Sequence, residues 1–141
     1  MAIGNPYQQY KKTQVDTADQ GKLIVMLYDG AIKFINKAIE LIPQKKIEDV
    51  HVNIVKAQDI ISELMTSLNM DAGDISNRLL SIYMYINRRL IDANISKKAE
   101  PLYEVKKHLT ELRDAWEIAG RNTKNSEIPE TVNSGGVNIA T

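Results

Sequence analysis

Apolar residues in this chain recur at alternating steps of three and four, in four blocks of roughly 20 residues each, and turn signals separate the blocks. That spacing lays side chains along one face of an α-helix, whereas a strand would alternate in steps of two. The first block carries two such stripes side by side. Leu23, Leu27, Gly30, Phe34, Ala38 and Leu41 form one; Ile24, Tyr28, Ala31, Ile35, Ile39 and Ile42 form the other. Its densest part, LIVMLY at Leu23–Tyr28, is apolar on every side of the helix. Lys22, Asp29, Lys33, Asn36, Lys37 and Glu40 fill the remaining arc. The apolar surface therefore covers about half the circumference, more than one neighbour requires.

The other blocks follow the same rule. Val50, Ile54, Ala57, Ile61, Leu64 and Leu68 step close to a heptad in the second. Ile75, Leu79, Ile82, Ile86, Leu90 and Ala93 mark the third, and Leu102, Val105, Leu109, Leu112, Trp116 and Ala119 the fourth. Punctuation agrees with these periods. Thr17-Ala-Asp-Gln20 fits a capping box and starts the first helix, and Pro43 stops it after Ile42. Asn69–Gly73 reads as a turn with Asp74 as the N-cap of the third helix. The third connection is Asn94–Glu100, Pro101 suits the first turn of the fourth helix, and Gly120 reads as its stop. Connections this short force antiparallel neighbours, so the expectation is an all-α, antiparallel, up-down-up-down four-helix bundle. Residues 1–16 form an N-terminal arm, 17–120 the bundle, and 121–141, which lacks any period, a flexible tail.

Composition narrows the function classes. Eighteen Lys plus Arg balance eighteen Asp plus Glu, which argues against a nucleic-acid binder with a basic footprint. No apolar run approaches the roughly 20 residues of a bilayer span, so no direct membrane insertion is expected and a cytoplasmic place is the default. Absence of cysteine removes disulfides, thiolate metal sites and thiol catalysis. Glu48-Asp-Val-His51 has the Glu-x-x-His spacing of di-iron bundles, but its required companions are missing: His108 has Glu104 at the wrong offset and the third helix holds no Glu between Ile75 and Ala93. No Gly-rich phosphate loop exists, since Gly30 and Gly73 stand alone and Gly135-Gly136 lies in the tail. The expectation is no metal, no cofactor and no enzymatic activity. A histidine phosphotransfer module, using His51 or His108, and a self-associating structural bundle stand as rival classes.

Two readings compete for the wide face of the first helix. In one, both stripes are core, because each helix of a bundle touches two neighbours. In the other, part of the exterior is a groove, with Tyr28 and Ile39 at its edge, that an amphipathic partner segment fills. Tyr83-Met84-Tyr85 raises the same question, because three consecutive large side chains cannot all point inward.

The residues also resemble a known family. YQQY (Tyr7, Tyr10) followed by Val15, LIVMLYDGAIKF (Leu23–Phe34), KAQDIISEL (Lys56–Leu64), IYMYINRRLIDAN (Ile82–Asn94) and EVKKHLTELRDAW (Glu104–Trp116) are similar, in order, to the blocks of the flagellin-export chaperone family, FliS. Members often start the first helix with a proline, where this chain has Asp19-Gln20. The resemblance implies a cytosolic bundle that binds the disordered C-terminal segment of flagellin and prevents its premature polymerisation. It also implies delivery to the flagellar type III export apparatus. The expected partners are that segment, the export-gate membrane protein and other flagellar regulators. Tyr7, Tyr10 and Val15 carry the arm's binding role by the resemblance, and Tyr28 joins them as the fourth candidate partner-binding residue.

Overall fold

A computed structural model describes residues 20–126, with side chains to Arg121. Helix α1 spans Gln20–Leu41, α2 Ile47–Thr66, α3 Asp74–Ser96 and α4 Glu100–Ser126; a 3₁₀ turn at Met70–Ala72 precedes α3. α1 packs on α2 and α4, and α3 on the same two helices, so the four close into a ring. Cross-helix pairs give the directions. Moving from Gln58 back to His51 on α2 moves the partner forward from Asn87 to Asn94 on α3. Arg89 and Tyr85 of α3 likewise reach Glu104 and His108 of α4 in opposite order. This is the antiparallel four-helix bundle that the periodicity predicts.

Both stripes of α1 enter the core: Leu23, Ile24, Leu27, Tyr28, Ala31, Ile35, Ala38 and Leu41 are buried. α1 faces α2 on one side and α4 on the other, which is why half of its circumference is apolar. Phe34 stays half-buried, with the Lys56 ammonium 5.4 Å from its ring centroid. Gly30 is half-buried rather than central.

Three boundaries differ from the sequence reading. Asp74 is the first residue of α3 and not its cap; that position is Gly73, whose φ of 82° lies where only glycine is unstrained. Asp74 still helps, as a negative charge in the first turn. α3 runs on to Ser96 and ends on Lys97 in the left-handed region, the Lys97 N–H donating to the Ala93 carbonyl at 2.7 Å. Its ammonium bonds the Asn94 carbonyl and side chain, supplying donors that a C-terminal glycine lacks. Gly120 does not stop α4, which continues to Ser126. The α2–α3 turn is pinned from within: the Asn69 side chain accepts from the Asp71 N–H, and the buried Ser76 hydroxyl donates to the Asn69 carbonyl. The arm at 1–16, Thr17 to Asp19 of the capping box and the tail from 127 lie outside the described residues.

Candidate functional site

α3 is the least covered helix. It carries five of the eleven exposed large apolar side chains among the described residues: Ile82, Met84, Tyr85, Ile91 and Ile95. The cause is its rotation about its own axis. The core-facing row is Ser76, Leu79, Tyr83, Ile86, Leu90 and Ala93, so Ile75 is half-buried and Ile82 exposed. Of the Tyr83-Met84-Tyr85 run, only Tyr83 points inward, and Tyr85 and Met84 face out. Met84 and Ile91 alternate at helical spacing with Asn87 and Asn94, which bond Gln58 and His51 of α2. Ile82 and Tyr85 lie on the opposite edge, beside α4.

Along that second edge runs an open groove of about 590 Å³, lined by Ser81, Ile82 and Tyr85 from α3 and by Glu104, His108, Glu111 and Leu112 from α4. A polar clasp crosses it at one end. The Tyr85 hydroxyl donates to Glu104 Oε2 at 2.5 Å, and Arg89 Nε donates to Glu104 Oε1 at 2.8 Å. Arg89 also holds Asp92 at 3.0 Å. The bond from Tyr85, then that from Arg89, holds the Glu104 carboxyl below its usual range, so it stays charged. His108 stacks edge-on against Tyr85, with ring centroids 6.2 Å apart. The clasp fixes the Tyr85 ring as a wall of the groove, while Ile82 and Leu112 supply apolar surface.

Beneath α3 lies the main polar element of the core. The Tyr28 and Tyr83 hydroxyls are 2.5 Å apart and both side chains are buried. Either hydroxyl of the Tyr28–Tyr83 pair can be the donor. The Trp116 indole, which only donates, interacts with the Tyr28 oxygen and favours its ionised form. Burial pushes the Tyr83 hydroxyl up to about 12, against its bond with Tyr28, and drives Tyr28 further up. The network joins α1, α3 and α4.

Among the four candidate binding residues, Tyr28 is fully buried and belongs to this network rather than to an outer edge. Tyr7, Tyr10 and Val15 lie outside the described residues. The groove was legible only in part. The Tyr83-Met84-Tyr85 run showed that not all three side chains can point inward, without saying which, whereas Glu104, Glu111 and Leu112 gave no sign, because a groove lining is set by the crossing of two helices. His51 Nδ1 accepts from the Asn94 amide at 2.9 Å and His108 stands in the groove. No group of three or more His, Cys, Asp or Glu suited to a metal ion occurs among the described residues. No described helix is long and apolar enough to cross a membrane.

Comparison with known proteins converges on one family. The family model "Flagellar protein FliS" matches residues 3–123. The flagellar secretion chaperone FliS of Bacillus subtilis is 40% identical over 137 residues, 97% of this chain and 99% of that protein. The Vibrio cholerae chaperone is 31% identical over 115 residues, 78% of this chain and 85% of its own length. The Escherichia coli chaperone is 29% identical over 107 residues, covering 74% and 79%. With the bundle, the match over most of the chain and these relatives in agreement, the protein belongs to the FliS family of flagellar secretion chaperones, which are not enzymes.

Proposed function

We propose that this protein is a cytoplasmic export chaperone for flagellin. It binds the disordered C-terminal segment of the newly made subunit, keeps it from polymerising prematurely and delivers it to the flagellar type III export apparatus. The observation that carries this reading is the outer surface of α3, where exposed Ile, Met and Tyr side chains border an open groove on the α4 side. An amphipathic segment that folds on binding needs such a surface, because its ordering costs several kcal/mol that apolar burial has to offset. Methionine and tyrosine suit the task, one by adapting its shape and the other by pairing an apolar ring with a polar tip. No nucleotide is needed, since release is left to the export machine.

Tyr7, Tyr10 and Val15 contribute to partner binding from the arm, toward the client or the export-gate membrane protein. Tyr28 acts from below: its bond to Tyr83 holds α3 at the rotation that exposes Tyr85 and Ile82. Titration calorimetry with a flagellin C-terminal fragment tests the reading. Expected are one-to-one binding and a gain of helical signal in far-ultraviolet circular dichroism beyond that of the separate components. A fragment that neither binds nor gains helicity ends this reading. Tyr10→Ala is expected to weaken binding to the client or the gate with the bundle's helical signal unchanged; full affinity for both removes the arm assignment.

A further inference from the structure

The groove between α3 and α4 is unevenly charged, and that asymmetry names a feature of whatever lies in it. Two carboxylates line it. Glu104 is already satisfied by Tyr85 and Arg89, with His108 Nε2 3.7 Å away. Glu111, two turns along α4, is exposed and makes no hydrogen bond or ion pair with any described residue. Arg78 lies a further turn along α3 from Ile82, outside the lining, and forms no ion pair among the described residues. Between the clasp and Glu111 stand His108 of α4 and Ile82 of α3 beside the Tyr85 ring, with Leu112 just beyond Glu111. From Glu104 to Leu112 the lined length is about 12 Å, the rise of some two helical turns.

We propose, resting on the chaperone reading above, that Glu111 is a specificity-determining residue: the groove accepts about two turns of an amphipathic client helix whose apolar face meets Ile82, Tyr85 and Leu112 and which presents one Lys or Arg to Glu111. The clasp end offers no such handle, because Arg89 and Tyr85 occupy Glu104. A basic residue at Glu111 therefore fixes which way the client helix runs along the groove. An acidic residue there meets a like charge. Rim charges of this kind act mainly through association rate and choice of partner, so the effect is modest and salt-dependent.

The test is titration calorimetry of the full chain with the flagellin C-terminal fragment at low and at 0.5 M salt, the higher shortening the screening length to roughly 4 Å. Glu111→Lys is expected to weaken binding about five- to tenfold at low salt and far less at high salt. Glu111→Gln should show about half of that loss in logarithmic terms. A set of fragments with each Lys or Arg changed singly to Glu should contain one that binds Glu111→Lys better than wild type. Ile82→Arg, with helicity checked, blocks the groove in parallel; Tyr85→Ala serves if that variant loses helicity. Unchanged affinity for Glu111→Lys beside a large loss for Ile82→Arg overturns the charge assignment and leaves the groove reading standing. Unchanged affinity for all variants, or no binding by wild type, removes both.

Discussion

Deleting the hydroxyl of Tyr28 should cost more than deleting that of Tyr83, although the two groups touch each other. The Tyr28 hydroxyl bonds that of Tyr83 and interacts with the Trp116 indole, so Tyr28→Phe removes two polar contacts. It leaves the indole N–H and the buried Tyr83 hydroxyl without those partners. At roughly 1–2 kcal/mol for each polar group so stranded, the loss is about 2–4 kcal/mol. Tyr83→Phe breaks one bond and strands only the Tyr28 O–H, for about 1–2 kcal/mol. The double variant removes the very hydroxyl that Tyr28→Phe strands, so its cost should not exceed that of Tyr28→Phe alone, well short of the sum. Urea melts followed by circular dichroism read all four corners of the cycle, with an unchanged slope confirming that compactness is preserved. Each 1 kcal/mol should also move the melting temperature by about 3–4 °C in a chain of this size. If the single effects add, or if Tyr83→Phe equals or exceeds Tyr28→Phe, Tyr28 is not the shared partner of the two groups.

Stability should fall at alkaline pH. The folded-state pKa of Tyr83 lies at about 12 against an ordinary 10.0, so the unfolded chain releases its proton first and stability is lost as pH rises from about 10 toward 12. Urea melts across that range should show a shallower decline in the Tyr28→Phe/Tyr83→Phe variant. Gly120→Ala should stabilise by roughly 0.5–1 kcal/mol, because Gly120 lies inside α4 and an added Cβ meets nothing within 4 Å. A loss of stability would instead mark Gly120 as a left-handed stop. Trp116→Ala should cost about 3–5 kcal/mol in a urea melt, through the lost buried ring. A loss below about 1 kcal/mol would place the ring outside the core.

The sequence alone determined the class of fold. Steps of three and four are a local property, and each block of the chain states its own helix regardless of its neighbours. Pro43, the Asn69–Gly73 run and Pro101 set the turns, and short turns set the antiparallel order. Boundaries that rest on a single residue were less secure. Gly120 suits a helix end, yet it also fits inside a helix when an open surface and continued backbone bonding permit.

Tertiary structure decided which of two adjacent rows became the core. On α3 the apolar pattern named Ile75 and Ile82, whereas the bundle buries Ser76 and Tyr83, one residue further on. Leu79, Ile86, Leu90 and Ala93 belong to both rows, so the two settings differ by a fraction of the roughly 100° between successive residues. A helix with apolar groups on several sides carries no local term that selects between them. What selects here is contact with other chain segments: the Tyr83 hydroxyl meets Tyr28, 55 residues away, and Ser76 meets the Asn69 carbonyl. That choice turned Tyr28 from an expected edge into a buried partner and placed Tyr85, Ile82 and the groove at the surface.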